Sequence, residues 1–138
     1  MRLDYAFLAD AANTMPDGLF DVIGGGFDVI TSPVFPATKH AMVVVGRIWF
    51  TPSECGISHE FSGEIFTPQG PMWNTRLTTK FKPKKHPRQP ERENNFTVLL
   101  KYQGVDFPGP GDYFVRLSIG NQVLGDVKIE VVAEGGRT

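Results

Sequence analysis

Residues 111–131 read Gly-Asp-Tyr-Phe-Val-Arg-Leu-Ser-Ile-Gly-Asn-Gln-Val-Leu-Gly-Asp-Val-Lys-Ile-Glu-Val. Tyr113, Val115, Leu117 and Ile119 share one parity. Beyond Gly120-Asn121, Val123, Val127, Ile129 and Val131 do the same. A period of two on both sides of a Gly-Asn dipeptide predicts a β-hairpin with one buried face. Just before it, Gly111-Asp112-Tyr113 has the form of a tyrosine corner, in which the phenol hydroxyl ties back to a neighbouring connection. A plain core tyrosine fits the same three residues.

The rest of the chain repeats this grammar. Leu3, Tyr5, Phe7, Ala9 and Ala11 fall on one parity and predict a first strand. Pro16-Asp17-Gly18 is a turn signal. Leu19 to Phe27 reads as a returning strand interrupted by Gly24-Gly25-Gly26. Ala41 to Phe50 is apolar on both parities, so it is covered on two sides or offers one side as an interface. Its candidate interface residues are Met42, Val44, Ile48 and Phe50. Ile57 to Ile65 alternates cleanly, and Trp73, Thr75, Leu77, Thr79 and Phe81 form another inward series. Lys82 to Asn95 holds no apolar residue except prolines, which predicts a flexible solvated loop at 82–95. Phe96, Val98, Leu100 and Tyr102 resume a strand. The expected architecture is one all-β domain over 1–138, a single antiparallel β-sandwich of about eight strands, immunoglobulin-like or jelly-roll.

Composition fits this reading. The 138 residues can bury a core, and eleven Phe with fifteen Gly and eleven Pro suit short aromatic-packed strands and frequent turns. A net charge of -1 gives no bulk attraction to nucleic acid or anionic membrane. No apolar run is long enough for a membrane helix. Asp4 and Asp10 break the stretch a signal peptide would need, and the single Cys55 cannot form an internal disulfide. Cytoplasmic residence, without membrane contact, is the expectation.

Charge is uneven. Arg76, Lys80, Lys82, Lys84, Lys85, Arg88 and Arg92 face only Glu91 between 76 and 92, so this stretch carries +6 and the remainder -7. Lys80, Lys82, Lys84, Lys85 and Arg88 are therefore candidate contacts for nucleic acid, another polyanion or an acidic protein. A solubilising loop that discourages edge pairing is the plainer explanation. The loop has no aromatic residue, which disfavours base stacking there.

Catalytic signals are weak. Gly24-Gly25-Gly26 lacks phosphate-loop spacing and a following helix, so a bend in a strand explains it better. His40, His59 and His86 lack zinc-ligand spacing. The acids Asp17, Asp21, Asp28, Asp106, Asp112 and Asp126 are too dispersed for a calcium loop. Glu60 and Glu64 share a strand face that points to solvent. No nucleophile elbow occurs. No catalytic residue, metal or cofactor is expected, and Cys55 reads as a free buried thiol.

Leu3-Asp4-Tyr5-Ala6-Phe7-Leu8-Ala9-Asp10-Ala11-Ala12-Asn13, Gly18 to Asp28, Phe35-Pro36-Ala37-Thr38 and Phe107 to Tyr113 together resemble an uncharacterised family of small bacterial proteins, a domain of unknown function. The resemblance covers nearly the whole chain. It implies a compact all-β domain of bacterial or phage-related origin and supplies no activity or site residues. The expected function is a non-enzymatic protein-interaction or structural module that docks on a protein partner or forms a homo-oligomer. Anion or nucleic-acid binding through the basic region is the alternative, and a small hydrolase or metal-binding site assembled from loops is the third.

Overall fold

The hairpin at 111–131 forms as its alternation requires. In the computed structural model, which describes residues 1–15 and 19–135, β10 (Gly111–Ile119) and β11 (Gln122–Ala133) pair antiparallel around Gly120-Asn121. Gly120 takes φ +53°, the left-handed conformation that a tight two-residue hairpin turn needs. Tyr113, Val115, Leu117, Ile129 and Val131 are buried. Val123 departs from its expected place. Leu117 pairs with Gly125 but Ser118 pairs with Val123, so Leu124 is the extra residue of a bulge. A bulge reverses parity beyond it. Leu124 packs on the core instead, and Val123 is exposed.

The other elements are β1 (Arg2–Ala9), β2 (Ala11–Thr14), β3 (Phe20–Ile23), β4 (Val29–Ser32), β5 (Ala37–Phe50), β6 (His59–Thr67), β7 (Gly70–Pro71), β8 (Leu77–Phe81) and β9 (Asn94–Phe107). A 3₁₀ turn spans Pro52–Glu54, and no α-helix occurs among the described residues. The expected turn at Pro16-Asp17-Gly18 lies outside the described residues. No helix among them is long and apolar enough to cross a membrane.

The all-β class holds, but a sandwich of about eight antiparallel strands does not describe the sheets. There are eleven strands in three sheets among the described residues: β1-β5-β9, β4-β11-β10-β6 with β7 and β8 both on β6, and the hairpin β2-β3. The pairing of β4 with β11 is parallel. Gly24 and Gly26, both at positive φ, turn the chain out of the β2-β3 hairpin, and Val29 to Ser32 then runs along β11. The glycine run is thus a bend between two strands.

A third layer exists because β5 is apolar on both faces. Met42, Val44 and Ile48 join the main core with Phe61 and Ile65 of β6, Leu100 and Phe107 of β9, and Val115 and Leu117 of β10. Val43 and Val45 face the other way, against Ala12, Phe7, Phe20 and Val22. The β2-β3 hairpin and the outer side of β1 supply this cover. Burying both faces removes apolar area that would otherwise lie open on a sheet surface.

This overturns the interface expectation for β5. Met42 and Ile48 are 0% exposed, Val44 is 1% and Phe50 is 2%. All four are interior residues of the chain's own core and cannot touch a partner.

β1 carries a bulge at Asp4, since Leu3 pairs with Ile48 and Tyr5 with Arg47. Leu3, Ala6 and Leu8 therefore pack on the main core, while Phe7 belongs to the second cluster. The corner at Tyr113 is real in geometry. Its hydroxyl donates to Gly109 O at 2.7 Å, fixing the connection by which the chain leaves the β1-β5-β9 sheet and enters the larger one. The Tyr113 ring also meets Phe107 edge-on, with centroids 5.0 Å apart.

The second cover of β5 predicts the outcome of Val45→Thr. The substitution keeps shape but buries a hydroxyl where only apolar groups lie, and should cost about 1–3 kcal/mol in urea denaturation. A change below about 0.5 kcal/mol, as at solvated positions, would mean that the hairpin does not cover this face.

Candidate functional site

β8 is short, and a candidate surface lies at each of its ends. The basic segment leaves its C-terminal end. Lys80 lies on β8 itself, in register with Glu60 of β6. After Phe81 the chain leaves the sheet, and the connection to β9 begins with a buried Pro83. Gly56 N donates to Pro83 O at 3.0 Å, and Asn94 Nδ2 donates to Lys84 O at 3.2 Å. Those bonds pin the first half of the connection to the turn after Pro52–Glu54 and to the start of β9. The second half forms its own turn: His86 Nδ1 accepts from Arg88 N at 3.2 Å and Gln89 N at 3.1 Å. That bonding gives His86 a structural role.

Lys82, Lys84 and Lys85 line one cleft of about 440 Å³ with Cys55, Gly56 and Pro83. Lys80 lines a separate hollow with Phe96 and Lys101, and Arg88 belongs to neither. The structure thus gathers three of the five candidate cations. None of the five has an ion-pair partner among the described residues, whereas Arg2, Lys39, Arg47, Arg76 and Arg116 each lie within 4.0 Å of a carboxylate. Unneutralised positive charge is therefore concentrated here, on a backbone held by the bonds of Gly56, Asn94 and His86.

Beside the cleft, Glu54 lies 2.8 Å from the Met1 ammonium and accepts from Thr51 N at 2.8 Å. Burial raises its carboxyl pKa, but bonds from the ammonium and Thr51 outweigh that and hold it below the usual value. Glu54 is thereby engaged and does not screen the lysines. His59 Nε2 lies 2.8 Å from Glu54 O, so this histidine is a bonded structural one. Among the described residues, no three His, Cys, Asp or Glu side chains gather in a way that could hold a metal ion.

The second surface lies at the N-terminal end of β8, and parity reading missed it. Trp73 is expected to face inward on a strand, but β8 begins only at Leu77. Residues 72–76 form a turn, and Trp73 is 89% exposed at its tip. Asn74 has φ +58°, the only non-glycine positive φ among the described residues. Asn tolerates that conformation better than most residues. The turn is tied down by its own backbone and by Thr75, whose Oγ1 lies 3.1 Å from Ile65 N and 2.9 Å from Met72 O. Met72 N donates to Ile65 O at 2.8 Å.

Tyr102 of β9 completes the tie. Its hydroxyl lies 2.8 Å from Thr75 O of the turn and 3.0 Å from Gly63 O of β6, and it shares one proton between the two carbonyls. Burial, helped by the Glu64 carboxylate, raises the phenol pKa strongly, so the donor persists at any physiological pH. Gly63 leaves the space this requires, since a Cβ there would sit 2.7 Å from Leu100 Cδ1 and 3.5 Å from the Tyr102 hydroxyl. An exposed tryptophan is thus presented on a rigid turn.

An all-β domain without α-helix among its described residues, with its chemistry-bearing side chains on connections, is the class this structure defines. The chain belongs to the Family of unknown function (DUF6941), whose model matches residues 4–132. No curated protein matches the chain.

Tyr102→Phe leaves two buried carbonyls short of a donor and should cost about 1–2 kcal/mol, read as a lower thermal midpoint. An unchanged midpoint would show that water or another donor already satisfies Thr75 O and Gly63 O.

Proposed function

We propose that the chain is a non-enzymatic binding module that docks an acidic protein surface on its basic β8–β9 connection. The observation that carries this reading is the concentration of unpaired cations at Lys82, Lys84 and Lys85 around one cleft, with Lys80 and Arg88 nearby. Unpaired charge on an ordered backbone costs less to organise on binding than charge on a free tail. It also steers an acidic partner into encounter. The aromatic-free sequence from Lys82 to Asn95 offers a nucleic acid phosphate contacts but no stacking platform, which favours the protein partner. The -7 on the rest of the chain makes a second copy one such acidic surface, so self-association belongs to the same reading. A cytoplasmic setting is part of it too, consistent with the free thiol of Cys55.

Lys84→Glu with Lys85→Glu tests it. The native chain should be retained on immobilised poly-glutamate at low salt and released at moderate salt, where screening shortens the reach of charge to about 8–10 Å. The double variant should elute near the void with its circular dichroism unchanged. Equal retention of both proteins would remove the basic connection as the binding surface. Tighter retention on duplex DNA than on poly-glutamate would replace the acidic protein with a nucleic acid.

A further inference from the structure

The turn that carries Trp73 forms one wall of a groove of about 490 Å³, and a bend in β9 forms the other. In a regular strand Gln103 and Asp106, three residues apart, would face opposite sides of the sheet. Gly104, at φ +73°, breaks the alternation. Gln103, Gly104 and Asp106 are all exposed while Tyr102, Val105 and Phe107 are buried. The bend therefore brings an amide and a carboxylate into one groove, opposite Trp73 and Asn74. A Cβ at Gly104 would meet no atom of the described residues within 4 Å, but the backbone conformation is one that side-chain-bearing residues rarely adopt. Asn74 holds the same unusual conformation on the facing wall. Gly104 adopts its conformation without strain, while Asn74 is a side-chain-bearing residue in the left-handed region, a departure that clusters at ligand sites.

The lining dictates what would fit. Trp73 offers a broad, exposed apolar face. Asn74, Gln103 and Asp106 offer paired donors and acceptors. Thr38 Oγ1 donates to Asp106 Oδ1 at 2.6 Å, which fixes the carboxylate and leaves Oδ2 available. Among the described residues no Lys or Arg lines the groove and Asp106 is its one charged residue, so phosphate- and carboxylate-bearing ligands are disfavoured there. The polar wall would leave its groups unpaired beneath an apolar helix or a lipid chain. A polyproline segment needs a row of aromatic ridges, and among the lining residues only Trp73 is an exposed aromatic. A pyranose ring satisfies every wall: one face of C–H groups for the indole, and vicinal hydroxyls for the amides and the carboxylate.

We propose that the Trp73 groove is a subsite for a neutral saccharide, stacked on the indole and hydrogen-bonded by Asn74, Gln103 and Asp106. This site is separate from the basic connection and does not depend on it. A single such subsite holds its sugar weakly, with a dissociation constant on the order of 1 mM.

The test is a titration of the full chain, isotopically labelled for NMR, with cellohexaose, laminarihexaose, maltohexaose and hexa-N-acetylchitohexaose. At least one should move the amide resonances of residues 72–76 and 103–106 saturably below about 10 mM. Trp73→Ala should weaken that sugar about tenfold or more, and Gln103→Ala about threefold or more, with both folds intact because both side chains are exposed. No saturable shift with any of the four sugars overturns the proposal. So does a shift that survives Trp73→Ala. A decaproline peptide that moves the same resonances where no sugar does would assign the groove to a peptide instead.

Discussion

β5 is the element on which the rest of this structure depends. A strand whose successive residues Met42, Val43, Val44 and Val45 are all apolar has no face to give to water. One side finds the large sheet through β6 and β10. The other needs a separate cover, and the short β2-β3 hairpin exists where that cover is required. Once β5 is enclosed, β1 and β9 are fixed along its edges, and β9 in turn carries Tyr102 and the Gly104 bend. The geometry of both candidate surfaces follows from this enclosure.

Much of the fold was legible as alternation, and the failures have a common cause. The β10-β11 hairpin, most of β6 and the doubly apolar β5 were readable because side chains on a strand repeat every two residues, although β6 begins only at His59 and leaves Ile57 exposed. A bulge breaks that period by one residue and leaves no mark in hydrophobicity. Leu124 exchanged places with Val123 for this reason, and Asp4 split the first strand into two opposite parities. The sheet count failed differently. Parity says which residues face inward and says nothing of which strand lies beside which. The parallel pairing of β4 with β11 and the third layer were beyond it. Covering β5 on both sides was one of two readings of its apolar run, and burial chose between them.

The candidate surfaces divide along the same line. The basic connection is a matter of composition, and composition is local. Which of its cations share a cleft depends on the bonds that Gly56 and Asn94 make to it, between segments far apart in sequence. Trp73 was hidden because an aromatic on the inward parity of a presumed strand reads as core. The signal that could have exposed it is Asn74 with Pro71 just before, a turn pair that argues against a strand starting at Trp73. β8, five residues and so about 17 Å long, separates the two surfaces, which leaves each free to engage its own ligand.

Hydrogen–deuterium exchange followed residue by residue tests the enclosure of β5 most directly. The account predicts that the amides of residues 42–48 fall in the slowest-exchanging class, opening only with global unfolding, and that their protection is the same in dilute and concentrated protein. Rapid exchange along β5 would mean that the chain's own layers do not enclose it, and protection that grows with protein concentration would mean that a second molecule, not the β2-β3 hairpin, covers one of its faces.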